Sequence, residues 1–235
     1  MIHRFAALLI LAAVAAVPSA RAADPARPTV VELFTSQGCS SCPPADALLT
    51  DLARKPGVIA LTYNVDYWDY LGWTDTLATP ASTQRQRWYA ERFRMRYTYT
   101  PQFVVQGAMQ GAGADAGQIN AQIAKAAGMP GIALTLEKTD NGLRLRLPAT
   151  KVDGEARVLL AAYDRRRAAD IAKGENAGRH LTYTNVVRKV VPVADWNGAA
   201  KTLDLPWDKA WGEDCAVIVQ HAESGAILGA AEMPW

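Results

Sequence analysis

The hydrophobic pattern gives the first half of the chain alternating strands and helices. The apolar runs Thr29–Phe34 and Val58–Val65 are short and rich in β-branched residues, which is typical of buried strands. Between them, Leu48, Leu49 and Leu52 follow helical spacing behind two prolines, and proline is well tolerated in the first turn of a helix. The pattern therefore predicts a strand, a helix and a second strand in this order.

Two more helices and one strand are predicted before residue 128. Thr79-Pro80 supplies an N-cap and a first helical residue for a helix that runs to about Arg94, and a further helix is predicted from Gln118 to Ala127. Between these helices, Pro101 precedes a short apolar strand. Residues 66–79 are rich in tyrosine and tryptophan, and they form either a wall that binds a substrate or a small core under a long loop.

Beyond Gly131 the pattern becomes that of an antiparallel β protein. Asp140-Asn141-Gly142 is a hairpin signal between two alternating segments. Further segments with strand character are residues 156–163, 181–193, 201–205, 216–221 and 226–230. We therefore predict an α/β domain over residues 29–128, followed by a mostly antiparallel β domain, a sandwich, over residues 131–235.

The N-terminus has the three parts of a cleavable secretory signal peptide. Arg4 gives a basic start, residues 5–17 are almost entirely apolar, and Ala20 and Ala22 form a cleavage motif. The apolar run is shorter than the about 20 residues that a membrane span needs. We expect residues 1–22 to be removed and the mature protein to be exported, periplasmic or secreted, with no stable membrane insertion. The alternative is an uncleaved anchor.

Charge argues against a nucleic-acid partner. Loss of Arg4 and Arg21 with the signal peptide would leave 23 basic and 23 acidic side chains. A protein that binds nucleic acid needs a basic excess on one face. We expect the partner to be another exported protein instead.

The cysteines indicate a local dithiol and not a disulfide-stapled scaffold. The chain has three, of which Cys39 and Cys42 form a Cys-x-x-Cys pair and Cys215 stands alone in an apolar strand. A stapled secreted domain usually has a larger, even number spread along the chain. We interpret Cys215 as a small buried hydrophobic residue.

The pair Cys39 and Cys42 lies where the first strand gives way to the first helix. A helix N-terminus favours a thiolate, which is the form that attacks disulfides. We therefore predict Cys39 as the nucleophile and Cys42 as the resolving thiol. Half a metal site and an inert local disulfide are the alternatives, although a zinc site needs a second ligand pair that we do not find in the sequence. We expect no bound metal and no cofactor.

Two further positions are candidate site residues. Thr100-Pro101 stands at a strand entry, where a cis bond would leave the preceding backbone free to pair with a peptide, although most bonds before proline are trans. Glu32 interrupts an otherwise apolar strand. A desolvated carboxyl there would relay a proton to or from Cys42, whereas an acid paired with an arginine would not.

Three longer runs resemble a known family. They are ELFTSQGCSSCPP at residues 32–44, DYWDYLGW at residues 66–73 and YTYTPQ at residues 97–102. Together they resemble the exported thioredoxin-like proteins of unknown function numbered 1223 among the domains of unknown function, from about Thr29 to the C-terminus. The resemblance implies that residues 29–128 are a thioredoxin-like domain with an aromatic-rich insertion, and that the bond before Pro101 is cis. It implies no substrate.

Two departures from ordinary thioredoxins affect the interpretation. The Ser40-Ser41 spacer differs from those of better-known members, so that no redox potential is carried over. Glu32 stands seven residues before Cys39, one more than the buried acid of thioredoxins, which weakens its assignment as a proton relay.

The sequence thus predicts an exported thiol–disulfide exchange protein, an oxidoreductase that acts on another extracytoplasmic protein. The predicted site consists of Cys39, Cys42, Thr100, Pro101 and Glu32. The alternatives are a non-catalytic binding protein built on the same scaffold and, more weakly supported, a protein that handles metal through the dithiol.

Overall fold

The computed structural model describes residues 27–235. The helices are α1 (Pro43–Leu52), α2 (Pro80–Arg92) and α3 (Ala116–Ala127). The strands are β1 (Thr29–Thr35), β2 (Val58–Asn64), β3 (Gln102–Val105), β4 (Met109–Ala112), β5 (Thr135–Thr139), β6 (Gly142–Leu147), β7 (Ala156–Asp170), β8 (His180–Trp196), β9 (Lys201–Pro206), β10 (Asp214–His221) and β11 (Ile227–Pro234). The predicted signal peptide, residues 1–22, lies outside the described residues.

Local signals in the sequence account for where the helices begin. Pro43 and Pro44 occupy the first turn of α1, where a missing backbone N–H costs no hydrogen bond. Thr79 caps α2 as predicted, since its side-chain oxygen accepts a hydrogen bond from the Ser82 N–H at 3.1 Å. Within residues 27–235 no helix is both long and apolar enough to cross a membrane.

One large sheet contains strands from both halves of the chain. Its order is β11-β10-β7-β8-β2-β1-β3-β4. β1 and β2 are parallel, as are β2 and β8, whereas the other neighbours in this sheet are antiparallel. The sheet is therefore mixed, and it continues from the first half of the chain into the second at the contact between β2 and β8.

The predicted fold class, a thioredoxin-like α/β domain followed by a separate antiparallel β domain, is wrong. The structure is mostly β, and strands β7, β8, β10 and β11 join the same eight-stranded sheet as β1–β4. Val186 of β8 pairs with Asp164 of β7 on one side and with Thr62 of β2 on the other. Hydrophobic periodicity identifies strands but does not say which strand covers an open edge, so the pattern missed this junction.

The remaining strands, β5, β6 and β9, form a second sheet of three strands. Leu143 and Leu145 of β6 share a hydrophobic cluster with Val158, Leu160 and Val217 of the large sheet. The small sheet therefore packs on one face of the large sheet, near the end formed by β11, β10 and β7. The boundaries predicted at residues 128 and 131 fall in the connection between α3 and β5, and a division of the chain into independently folding units there stays a prediction.

The two faces of β1 lie in different cores. Val31 and Leu33 pack with α1 and α3, in a cluster that includes Leu49 and Ile119. Phe34 faces the other side and packs with Tyr89 of α2. Because side chains alternate along a strand, this alternation decides which helix each residue of β1 meets.

Candidate functional site

The dithiol lies at the junction between β1 and α1, as predicted. Cys39 and Cys42 form a disulfide with a Cα–Cα distance of 5.4 Å, and Cys42 is the N-cap of α1. Both side chains are fully buried, whereas Ser40 and Ser41 between them are exposed. The unpaired backbone N–H groups of a helix N-terminus stabilise negative charge, so this position favours a thiolate when the bond opens.

A serine hydroxyl lies within reach of the first sulfur. The Ser41 Oγ atom is 3.4 Å from the Cys39 Sγ atom. A hydroxyl that donates to sulfur stabilises the thiolate more than the thiol. The Ser40-Ser41 spacer thus provides one polar contact to the predicted nucleophile.

The loop between β7 and β8 packs against the Cys-x-x-Cys segment. The buried Asn176 amide donates 2.9 Å hydrogen bonds to the backbone carbonyls of Gln37 and Cys39. The neighbouring Glu175 carboxylate accepts a 3.2 Å hydrogen bond from the Ser40 N–H, and hydrogen bonds from Ser40 lower the pKa of Glu175. These residues come from the half of the chain that was predicted to form a separate β domain. Sequence reasoning marked Glu175 and Asn176 as interface or binding features of that domain but did not place them at the dithiol.

The aromatic segment, residues 66–79, supports the loop before the disulfide. Gln37 accepts hydrogen bonds from the Trp73 indole at 2.8 Å and the Thr76 N–H at 3.3 Å, and its own N–H donates to Asp75 at 2.8 Å. A Cβ atom on Gly38 would lie 3.0 Å from the Trp68 Cβ, so a larger residue at this position would crowd Trp68. Tyr70 is 79% exposed, so the segment has both a packed and a solvent-facing part.

The Thr100–Pro101 peptide bond is cis, in agreement with the expectation from the resemblance. The Trp68 indole donates a 2.7 Å hydrogen bond to the Thr100 hydroxyl. Trp68 therefore contacts both Gly38, next to the dithiol, and the residue before the proline. The functional roles of Thr100 and Pro101 stay predictions.

The structure does not bring Glu32 to the dithiol. Glu32 is fully buried on the face of β1 that meets α2, whereas α1 covers the opposite face. Its carboxylate accepts a 2.6 Å hydrogen bond from the Arg85 guanidinium and another from the Tyr89 hydroxyl. The interpretation as an acid paired with an arginine fits this arrangement, and the arrangement gives no support to a proton relay.

Arg85 of α2 has a nearly buried side chain, which is uncommon for an arginine. Its side chain is 9% exposed, and it also donates to Tyr89 and Gln220. Burial is the largest single effect on the pKa of Arg85 and lowers it. The charge and the hydrogen bond of Glu32, with added contributions from Tyr89 and Tyr63, together raise the pKa well above its ordinary value. This pair is a fixed ion pair in the core.

Asp46 is the buried acid on the same face as the dithiol, and sequence reasoning did not single it out. It lies on α1 with Leu49, is 5% exposed, and its N–H donates to the Cys42 carbonyl at 3.1 Å. Burial raises the pKa of Asp46 to about 8, the nearby Thr35 hydroxyl opposes this rise, and the charge of Asp75 adds to it. Its helical spacing from Leu49 and Leu52 was the available signal.

The remaining reactive side chains to consider are the third cysteine and any cluster of residues that could bind a metal ion. Cys215 is free and buried, as predicted, and burial raises the pKa of its thiol to about 12. Over residues 27–235, no three His, Cys, Asp or Glu side chains are clustered as metal ligands would be.

Two solved structures are similar to this chain. An X-ray crystal structure of an Agrobacterium tumefaciens protein has 35% sequence identity and a TM-score of 0.78, and the match covers 90% of this chain and 96% of that one. HBP35 of Porphyromonas gingivalis has 15% identity and a TM-score of 0.58, over 90% of this chain and 76% of that one, which shows similarity of fold alone. No curated protein matches the chain.

The family model described as a protein of unknown function, DUF1223, matches residues 30–220. This range contains the disulfide, the aromatic segment, the cis proline and the loop between β7 and β8. The match covers most of the chain, and the chain belongs to the DUF1223 family.

Proposed function

We propose that this protein is an exported thiol–disulfide exchange protein that acts through Cys39 and Cys42 on another extracytoplasmic protein. The observation that carries the proposal is a Cys-x-x-Cys disulfide at the N-terminus of α1. A bond between two cysteines that are neighbours in a short loop contributes less to stability than one that closes a long loop. A reactive role accounts for its place at a helix N-terminus better than a stabilising role does.

An exported location would keep Cys39 and Cys42 in the disulfide form. Disulfides persist in the periplasm and outside the cell, whereas the cytosol keeps thiols reduced. Residues 1–22 have the pattern of a secretory signal, which would bring the protein to such a compartment. Signal cleavage predicts a mature N-terminus at Ala23.

In the proposed reaction a substrate thiolate attacks the Cys39 sulfur. The bond between the substrate and Cys39 forms as the bond between Cys39 and Cys42 breaks, and the electron pair passes to the Cys42 sulfur. Attack by Cys42 on the mixed disulfide reverses the step. Because Cys39 is fully buried in the oxidised form, the substrate must displace part of its cover, which includes the loop that carries Asn176.

Trapping of the mixed disulfide tests the proposal. A Cys42→Ser chain, expressed with its N-terminal segment in a bacterial host, should retain partner proteins on Cys39 that run as adducts on non-reducing gels and disappear on reduction. Cys39→Ser is the matched control and should retain none, and Cys215→Ser should leave the adducts unchanged. Equal amounts of adduct on Cys42→Ser and Cys39→Ser would contradict exchange through this pair.

A further inference from the structure

Asp46 is placed one helical turn after Cys42 on the buried face of α1. Residues four apart lie on the same side of a helix, and side chains tilt toward the helix N-terminus. The Asp46 side chain therefore extends toward the turn that holds Cys42. Both residues are buried, at 5% and 0% exposed, so their side chains are largely shielded from bulk water.

Within the described part of the chain, residues 27–235, no cation lies beside the Asp46 carboxyl. The groups that face it are the Thr35 hydroxyl from β1, Tyr183 from β8, and Asp75 from the aromatic segment. Among residues 27–235, the Asp46 Oδ1 atom has no hydrogen-bond partner, and neither has the Thr35 Oγ1 or the Tyr183 Oη atom. The Asp46 carboxyl and the two hydroxyl groups that interact with it, from β1 and β8, thus each have a buried oxygen without a hydrogen-bond partner.

The neighbouring Asp75 differs from Asp46 in the number of hydrogen-bond donors around its carboxyl group. Its carboxylate accepts backbone hydrogen bonds from Gln37, Leu77 and Ala78 and a side-chain bond from Asn64. A carboxylate with so many donors is held in one place as a structural group. Asp46 has no comparable set, and a buried carboxyl without donors or a cation holds its proton near neutral pH.

We propose that Asp46 is the proton donor to Cys42 when the disulfide is opened. The inference rests on the proposed function and extends it to a second residue of the same site. As the substrate thiolate attacks Cys39, the Cys42 sulfur leaves with the electron pair of the broken bond, takes the proton of the Asp46 carboxyl and becomes a thiol. Asp46 becomes a carboxylate, so one negative charge enters with the substrate and one remains on Asp46.

The reverse reaction returns the proton. Asp46 carboxylate accepts the Cys42 proton as the Cys42 sulfur attacks the mixed disulfide, and the substrate leaves as a thiolate. Transfer is easiest between groups of similar pKa. The pKa of Asp46, at about 8, is close to the ordinary thiol value of about 8.5.

No other acid on α1 or β1 is placed for this role. Glu32 of β1 lies on the opposite face and is paired with Arg85. Asp51 of α1 is exposed and pairs with Arg54 at 3.1 Å. Asp51 is therefore a matched control, since it is an acid on the same helix that faces solvent.

The pH profile of disulfide reduction by dithiothreitol tests the proposal. The rate is followed by quenching and thiol alkylation, and it is divided by the thiolate fraction of the reagent at each pH. For the wild-type chain the corrected rate should fall as the pH rises through about 8, because Asp46 loses its proton there. In Asp46→Asn the corrected rate should be about tenfold or more lower at pH 7 and should not vary with pH, since general acid catalysis typically contributes at least about a hundredfold.

The control and a second measurement decide the remaining outcomes. Asp51→Asn should reproduce the wild-type profile, and superimposable profiles for wild type and Asp46→Asn would overturn the proposal. If Asp46→Asn does not fold, the carboxyl carbon resonance of Asp46 in the oxidised wild-type protein decides instead. A midpoint near 8 supports the proposal, and a midpoint near the ordinary value of about 4 overturns it.

The assay separates this proposal from the proposed function. Dithiothreitol needs no protein partner, so the profile reports on Asp46 even if Cys42→Ser retains no adduct. Retention of adducts by Cys42→Ser together with a flat wild-type profile would leave disulfide exchange in place and remove Asp46 from it.

Discussion

Two carboxyl groups are buried on opposite faces of β1, and they differ in what surrounds them. Glu32 faces α2 and lies 2.6 Å from the Arg85 guanidinium. Asp46, on α1, faces a hydroxyl, a tyrosine and a second acid, and none of the cations that the structure describes lies beside it. Both acids lose hydration on burial, so the difference between them comes from their partners.

This difference assigns the two acids to different tasks. A buried charge with a bonded opposite charge stays ionised and holds elements together, and Glu32 connects β1 to α2 in this way. A buried acid without a partner keeps its proton to higher pH and is able to exchange it. The dithiol lies on the face of the unpaired acid, which is where an exchangeable proton is useful.

Removal of the cation from the paired acid should have the largest effect on stability. Arg85→Met keeps much of the side-chain volume but leaves Glu32 buried and unpaired. We expect a loss of about 3–5 kcal/mol in the free energy of unfolding, measured by urea denaturation at pH 7. Removing Glu32 as well, in Arg85→Met/Glu32→Gln, should recover part of this loss, because no buried charge then remains.

Arg87→Met is the matched control for this experiment. Arg87 is an exposed arginine of the same helix, and its replacement should change the free energy of unfolding by no more than about 0.5 kcal/mol. A loss below about 1 kcal/mol for Arg85→Met would show that Glu32 is not dependent on this ion pair.

The local order of elements could be predicted from the sequence, and the partners of the buried acids could not. The strand, Cys-x-x-Cys, helix and strand from Thr29 to Asn64 follow from apolar runs and helix-start signals. Arg85, by contrast, is 53 residues from Glu32, and a pattern of charges along a helix does not show which of them is buried. Strand alternation places Glu32 opposite Val31 and Leu33, but the pattern alone does not say which of these faces meets α1.

The unpaired acid predicts a pH dependence of stability with a defined sign. The pKa of Asp46 is about 8 in the folded state and 3.8 as its ordinary value, so the folded protein holds a proton that the unfolded chain releases between these values. The contribution of this bound proton to the free energy of unfolding is complete below about pH 4 and is lost as the pH rises toward 8. The loss is on the order of 4 kcal/mol by pH 7.

Asp46→Asn should remove that dependence. At pH 7 the variant should be about 2 kcal/mol more stable than wild type, because the cost of burying the amide cancels part of the stability gained by removing the titrating acid. At pH 4 the variant should be no more stable than wild type. Denaturation of the oxidised proteins at the two pH values measures this difference. A difference between variant and wild type that does not change with pH would show that Asp46 is ionised in the folded protein.

The contact between the β7–β8 loop and the dithiol could not be predicted from the sequence pattern either. Asn176 is 137 residues from Cys39, and it meets Cys39 because β8 joins the sheet beside β2. A single buried asparagine in a polar loop carries no periodic signal. The predicted fold class placed this loop in another domain, so its contact with the dithiol could be seen only in the structure.

Weakening the contact between this loop and the Cys-x-x-Cys segment tests whether the loop must move before a thiol reaches Cys39. Asn176→Ala leaves the Gln37 carbonyl without its donor and removes one of the two donors to the Cys39 carbonyl, and we expect a loss of about 1–2 kcal/mol in the free energy of unfolding. Because the cover of Cys39 is weakened, dithiothreitol should reduce the disulfide several-fold faster at pH 7.

Glu175→Gln, a change in the same loop at an exposed contact, should alter the free energy of unfolding by less than about 0.5 kcal/mol. Unchanged reduction of Asn176→Ala, despite its lower stability, would mean that thiols reach Cys39 by another side of the site.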